Sequence, residues 1–131
     1  MSALDKVTVG IPGEKFITVT QQMTVKNFLA TMPAVYATAI MILHMEEAAT
    51  ASIAGLLPDG HVTVGMDVNV RHLAATPVGR TVKLISRVRQ VDGKSVVFDV
   101  EAWDGDRKIG DGTHRRGVIN VAAFQARFGV A

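Results

Sequence analysis

The segment that decides the fold is PAVYATAIMILHMEEAATASIAGLL, residues Pro33–Leu57. Proline fits the first turn of a helix because its missing N–H would have no partner there, and Thr31 is placed to cap that turn. The Pro-Asp-Gly sequence at 58–60 ends the helix. Because apolar residues occur on nearly every face, we predict one long helix that is buried on most of its sides.

Strand patterns lie on both sides of this helix in the sequence. Before it, KFITVT at 15–20 predicts a strand, and residues 26–32 fit either a short helix or a covering loop. After it, apolar and polar residues alternate from Val62 to Arg71, which predicts a strand whose even-numbered residues face the core.

The remaining segments predict a meander. Strands over about 80–91 and 94–103 are joined at Asp92-Gly93, a typical hairpin turn, and a last strand covers about 108–121 before one or two helical turns at 122–128. One strand, a long helix and four further strands is the order of the hotdog fold, an α+β fold in which an antiparallel sheet wraps one central helix. We expect a single such domain over residues 1–131, with a sheet edge that pairs with a second copy.

Composition removes several classes of function. The chain has 131 residues, 14 Lys and Arg against 12 Asp and Glu, and no cysteine. Thiolate chemistry, cysteine-bound zinc and disulfides are therefore excluded, and the weak net charge argues against a nucleic-acid partner. The start lacks a signal peptide pattern, and ionisable residues at 44, 46 and 47 interrupt the apolar helix, so we expect a cytoplasmic protein with no membrane partner.

Two polar residues of the predicted helix are candidates for chemistry. Glu46 lies about 80° around and about 12 Å along the helix from Thr38, so the two share a side, whereas Glu47 points the opposite way. Taken singly, Thr38 can bond a carbonyl one turn back and Glu46 can pair with an arginine. Together they indicate a functional site, because an inward carboxylate requires a partner, and such carboxylates are common at active sites.

Two positions of the following strand are also informative. Counting by twos from Val62 places His72 on the face toward the helix, where it is either a hydrogen-bonded core residue or a catalytic group. Gly65 either forms a β-bulge or allows a ligand to approach its backbone N–H. His44, His61 and His114 are interpreted as structural residues.

These features join in one resemblance. VYAT at 35–38 followed by Met45-Glu46, Gly65 seven residues before His72, AATPVG at 74–79 and IGDGTHRR at 109–116 together resemble hotdog-fold acyl-CoA thioesterases of the fluoroacetyl-CoA thioesterase type. The resemblance covers about residues 33–128. It implies a homodimer, with a tetramer as the alternative, that hydrolyses an acyl-CoA thioester without metal or bound cofactor. It further implies that Thr38, Glu46 and His72 are catalytic and that Gly65 and Arg116 contact substrate.

The residue types suit these roles. Glu46 is a candidate general base, for water or for the Thr38 hydroxyl, and His72 can orient the water or the thioester. The Gly65 N–H suits the developing oxyanion. Arg116 either neutralises a substrate oxygen or is a solvated strand residue. We also expect basic side chains near the cleft to meet the phosphates of CoA: Arg71, Arg80, Lys83 and Arg115.

The chain departs from the fluoroacetyl-specific pattern before the helix. A lid that carries aromatic side chains in that enzyme is matched here by Leu29 and Met32. Because flexible side chains such as Met adapt to irregular shapes, this difference predicts a broader pocket for small or medium acyl groups.

Two other functions remain open at this point. The sequence DVNVRH at 67–72 partly resembles the Asp-x-Asn-Pro-x-His stretch of hotdog enoyl-CoA hydratases. Against it, Val70 replaces the proline, the stretch follows the long helix, and alternation places Asp67 and His72 on opposite faces. The third alternative is a non-catalytic acyl-CoA-binding or dimerisation module, which would bind CoA esters without turnover.

Overall fold

One antiparallel sheet and one long helix make up most of the protein, in a computed structural model that describes residues 2–131. The sheet has strand order β1-β3-β4-β5-β2. Its strands are β1 (Pro12–Thr18), β2 (His61–His72), β3 (Thr81–Asp92), β4 (Ser95–Asp104) and β5 (Arg107–Asn120). The helices are α1 (Val25–Phe28), α2 (Thr38–Ala54) and α3 (Val121–Phe128), with a 3-10 turn, Gln21–Met23, before α1.

The predicted strands and turns agree with this architecture. Residues 92–95 and 104–107 form the two predicted hairpin turns, in which Gly93 and Gly105 have φ values of 61° and 63°. These left-handed conformations favour glycine. The segment that fitted either a short helix or a covering loop contains both, since α1 ends at Phe28 and a loop continues to the start of α2.

The long helix starts later than predicted. It begins at Thr38 rather than at Pro33, because the intervening residues pair with neighbouring loops. Tyr36 forms a β-bridge with Thr24, and its N–H donates to the carbonyl of Thr76 at 2.8 Å. These backbone bonds override the local preference for helix and place Thr38 at the first helical position.

The inward face of β2 changes within the strand. The register shifts between Gly65 and Asp67, so one extra residue reverses the alternation. Before this bulge Thr63 is buried and Val62 is 42% exposed, which is the opposite of the predicted face. After the bulge the even positions turn inward, and His72 faces α2 as predicted.

The core lies between α2 and the sheet. Buried residues of α2 include Met41, which packs against Gly110 of β5. The contact is so close that a Cβ on Gly110 would lie 2.7 Å from the Met41 sulfur atom. Leu43 lies on the one face of α2 that is uncovered in the single chain, and it is 48% exposed. Within residues 2–131, none of the helices has the length and apolar character that crossing a membrane requires.

Candidate active site

Two clefts flank α2 and contain the residues singled out in the sequence. The first, here called the threonine cleft, has a volume of about 410 Å³ and contains Thr38 and His72 among mainly apolar neighbours. The second, the glutamate cleft, has a volume of about 490 Å³ and contains Glu46, Arg116 and Lys15. The predicted site residues are therefore divided between two places.

In the threonine cleft a hydroxyl contacts an imidazole. Thr38 is the first residue of α2 and His72 the last residue of β2, and their Oγ1 and Nδ1 atoms are 2.7 Å apart. Burial lowers the pKa of His72, although the nearby backbone of Ala74 opposes the shift, so the ring is neutral at pH 7. Its Nε2 is buried and makes no hydrogen bond among residues 2–131, so part of the bonding capacity of the ring is unused.

In the glutamate cleft the carboxylate is paired. Oε2 of Glu46 accepts a hydrogen bond from Nη1 of Arg116 at 3.2 Å. Arg116 is not a solvated strand residue, because its side chain is only 8% exposed. Burial lowers the pKa of Arg116, and the charge of Glu46 opposes this shift. The guanidinium also donates to the side-chain and backbone oxygens of Thr63, both at 2.8 Å.

His114 belongs to this cluster, although sequence reasoning had assigned it only a structural place in a strand. Its Nε2 lies 3.0 Å from Nη1 of Arg116, and its Nδ1 lies 2.8 Å from the carbonyl oxygen of Asp67. Because a guanidinium only donates and a carbonyl only accepts, the ring hydrogen must be on Nδ1. The signal in the sequence was the spacing of two residues, which places His114 and Arg116 on the same face of β5.

Gly65 lies beside Glu46 and not beside Thr38. A Cβ at Gly65 would come within 2.9 Å of Oε2 of Glu46 and 3.5 Å of Cε1 of His114. Its backbone pairs with Arg116, and the bulge follows directly after it. The missing side chain therefore makes room for the Glu46 carboxylate.

The three residues predicted to be catalytic do not meet within one chain. Thr38 and Glu46 are eight residues apart on α2, which corresponds to about 12 Å along the helix axis. His72 accompanies Thr38, whereas Gly65 and Arg116 accompany Glu46.

None of the four basic residues expected near the cleft lines the threonine or the glutamate cleft of one chain. Those on strands occupy positions that face away from α2, and all four are engaged with acidic partners: Arg71 with Asp111 at 3.0 Å, Arg80 with Asp104 at 2.9 Å, Lys83 with Glu14 at 3.3 Å and Arg115 with Asp67 at 3.8 Å.

Comparison with known proteins identifies the family. Residues 19–122 match the model of a family described as fluoroacetyl-CoA-specific thioesterase. A fluoroacetyl-CoA thioesterase from Streptantibioticus cattleyicolor is 40% identical over 98 residues, which cover 75% of this chain and 70% of that protein.

Solved structures agree in fold. A variant of the fluoroacetyl-CoA-specific thioesterase FlK in complex with fluoroacetate and CoA is 35% identical, with a TM-score of 0.86 over 90% of this chain and 99% of that one. A hot-dog-like protein from Thermanaerovibrio acidaminovorans is 25% identical, with a TM-score of 0.89 over 98% of this chain and 96% of that one. The predicted hotdog fold is thus confirmed, and the chain belongs to the fluoroacetyl-CoA-specific thioesterase family.

Proposed function

We propose that this protein hydrolyses the thioester of small or medium acyl-CoA molecules, giving the free acid and CoA, and that it acts as a homodimer. The observation that carries the proposal is the 2.7 Å contact between the Thr38 hydroxyl and the neutral His72 imidazole in an apolar cleft. A hydroxyl beside a neutral imidazole is a typical nucleophile and base pair. The cytoplasmic location expected from the sequence stays a prediction.

The first step uses the threonine cleft. His72 Nδ1 takes the proton of the Thr38 hydroxyl while Oγ1 forms a bond to the thioester carbonyl carbon. The carbon–sulfur bond then breaks, and the CoA sulfur leaves as a thiol with the proton that His72 had accepted. This assignment makes His72 the base for Thr38, because Glu46 of the same chain is two helical turns away.

The second step releases the acid. A water molecule, deprotonated by Glu46, attacks the carbonyl carbon of the acyl–threonine ester; the bond from that carbon to Oγ1 then breaks, and the proton held by Glu46 passes to Oγ1 to restore the Thr38 hydroxyl. Arg116 and His114 hold Glu46 in one place for this role. Since Glu46 cannot approach Thr38 within its own chain, we assign the base to the partner's Glu46.

Exposed apolar surface supports a second copy. β2 is a twelve-residue strand at the edge of the sheet, with one side of its backbone unpaired within the described chain. Met66 on this strand is 60% exposed, and Leu43 on the uncovered face of α2 is half exposed. Edge strands and apolar patches of this kind are commonly covered by self-association.

The lining of the threonine cleft supports the substrate class. Val25, Met32 and Val35 form its wall beside Thr38 and His72. An apolar wall with one flexible Met suits acyl chains of more than one length.

The hydratase alternative requires Asp67 and His72 to act as an acid/base pair, and their positions do not allow this. The Asp67 side chain is 64% exposed and contacts Arg115, whereas His72 lies inward against Thr38. An Asp and His that face opposite sides of one strand cannot act on the same substrate atom pair.

Thiol release from a panel of acetyl-, hexanoyl-, octanoyl- and benzoyl-CoA tests the proposal. Thr38→Ala and His72→Ala should each lower kcat by about 10³-fold, and Glu46→Gln should also inactivate, because nucleophile and base are removed. Thr18→Ala, the same change on an exposed strand, is the control. Binding of CoA esters without thiol release would favour the binding-module alternative, and hydration of a 2-enoyl-CoA with the thioester intact would favour the hydratase.

A further inference from the structure

The ring of Tyr36 lies between two histidines. Tyr36 is only 1% exposed, and its hydroxyl is 2.5 Å from Nδ1 of His44. The Tyr36 and His44 rings stack with 5.8 Å between centroids. On its other side Tyr36 meets the His72 ring edge to face, with 6.4 Å between centroids and an interplanar angle of 84°.

The protonation states of Tyr36 and His44 follow from their surroundings. Burial raises the pKa of Tyr36, and the nearby charge of Glu47 raises it further, so the hydroxyl keeps its hydrogen. Burial also lowers the pKa of His44, with Glu47 opposing the shift and Lys15 adding to it. The Tyr36 hydroxyl therefore donates to Nδ1 of a neutral His44, whose hydrogen is on Nε2, 3.9 Å from Oε1 of Glu47.

The His72 ring makes one side-chain hydrogen bond, and the backbone of Ala74 is nearby. Its Nδ1 contacts Thr38, and its Nε2 has no partner among residues 2–131. The Tyr36 backbone is fixed by its hydrogen bond to Thr76, so the side chain can move only by rotating its ring away from His72. The hydrogen bond to His44 opposes that rotation.

We propose that Tyr36 and His44 are positioning residues for hydrolysis: their hydrogen bond holds the Tyr36 ring against His72 and keeps His72 Nδ1 directed at the Thr38 hydroxyl. The inference rests on the proposed function where it assigns the reaction to Thr38 and His72. It gives a role to two buried polar groups that the mechanism does not otherwise use.

Kinetics of matched variants test this role. Tyr36→Phe removes only the hydroxyl, whereas His44→Leu removes the acceptor together with the ring that stacks on Tyr36. Each should lower kcat by about tenfold and change KM by less than about twofold, because a small misplacement of a catalytic group costs rate and not binding. In His44→Asn the side-chain oxygen replaces Nδ1 as acceptor, and kcat should stay within about twofold of wild type.

The same variants should show coupling. The double variant Tyr36→Phe, His44→Leu should be no slower than His44→Leu alone, since both single changes break the same hydrogen bond. The double variant can be used in place of Tyr36→Phe if that single variant does not fold. Replacing both polar partners by apolar groups leaves neither the Tyr36 hydroxyl nor His44 Nδ1 buried without a partner. An equal loss of kcat in His44→Asn and His44→Leu would overturn the proposal.

A second readout does not depend on turnover. ¹H–¹⁵N spectra of the imidazole nitrogens should show His72 in one neutral tautomer in wild type and in His44→Asn. They should show an average of both tautomers in Tyr36→Phe and His44→Leu. If wild type released no thiol from any ester, the proposed function would fail while these spectra still decided the positioning role. Unchanged His72 resonances in folded Tyr36→Phe would contradict it.

Discussion

The two ends of the α2 surface use their polar groups in opposite ways. At the threonine cleft, one hydrogen bond joins Thr38 to His72, and Nε2 of His72 is buried without a partner among residues 2–131. At the glutamate cleft, Arg116 alone makes four hydrogen bonds, two to Thr63 and one each to His114 and Glu46. One end keeps bonding capacity for a substrate, and the other uses its capacity to fix a carboxylate.

Among changes that leave Thr38, His72 and Glu46 in place, the largest effect should come from breaking the fixed end. Arg116→Met leaves Glu46 unpaired and leaves the acceptors on Thr63 and His114 unsatisfied. We expect kcat to fall by about 100-fold, since the base loses its position, and the free energy of unfolding to fall by about 1–3 kcal/mol. Thiol release and urea unfolding measure the two quantities.

Arg115→Met is the control for this change. Arg115 is adjacent in sequence but faces the outer side of the sheet, where it donates to the Ser95 hydroxyl at 2.6 Å and its nearest carboxylates are 3.8 Å away. It should keep activity within about twofold and lose about 0.5–1.5 kcal/mol, as the loss of one hydrogen bond usually does. Equal effects of Arg115→Met and Arg116→Met would contradict the role given to the glutamate cleft.

Gly65→Ala should displace the Glu46 carboxylate and keep its pairing with Arg116. In Gly65→Ala the new methyl group would lie 2.9 Å from Oε2 of Glu46, at the end of a side chain that can shift. We expect kcat to fall by about tenfold with little change in stability, because the displaced group is flexible. Kinetics and thermal unfolding of the same sample give both values.

Gly55→Ala is the control, because a Cβ at Gly55 would have no neighbour within 4 Å and lies outside both clefts. It should have the same small effect on stability and no effect on kcat. Full activity in Gly65→Ala would show that the position of the Glu46 carboxylate is not needed.

Substitutions in the apolar wall of the open end should change selectivity and not rate. Met32 lines the threonine cleft, whereas Leu29, the other lid residue singled out in the sequence, does not. Met32→Phe should raise KM for octanoyl-CoA relative to acetyl-CoA by about tenfold. A rigid ring takes the space of one or two methylene groups in the apolar pocket, so it disfavours the longer acyl chain. Leu29→Phe should leave the KM ratio unchanged; an equal shift in both variants would disprove this assignment of the cleft wall.

The smallest effect is on the pH dependence of stability. Burial holds the pKa of His72 and of His44 below the usual value of about 6.5, so the unfolded chain binds protons that the folded chain does not. The free energy of unfolding should be constant above about pH 7 and fall as the pH drops through 6.5 toward the folded pKa values. Urea unfolding at a series of pH values should show a shallower fall in His44→Asn; a slope equal to wild type would contradict it.

Local patterns were enough to predict most of the fold. Alternation, the two Gly-containing hairpins and the long apolar segment gave the strands and the central helix, because these signals act within a few residues. The start of α2 at Thr38 and the bulge after Gly65 were not predictable in this way. Both depend on backbone pairing between segments that are far apart in sequence.

The candidate site shows the same difference between what local patterns predict and what depends on long-range contacts. Thr38, Glu46, His72, Gly65 and Arg116 could be named from spacing and family resemblance. Their division into two clusters could not, because it depends on which strand lies beside each turn of α2. The part played by His114 depends on the bulge, which makes the carbonyl of Asp67 available to Nδ1.

Subunit complementation tests most directly the claim that the two ends meet across two copies. Thr38→Ala and Glu46→Gln should each be inactive alone. When the two variants are unfolded together and refolded at equal concentration, half of the dimers are mixed, and each mixed dimer has one site with Thr38 and the partner's Glu46 intact. We predict recovery of about a quarter of wild-type thiol release. No recovery, in a sample where mass spectrometry shows that mixed dimers have formed, would contradict the account.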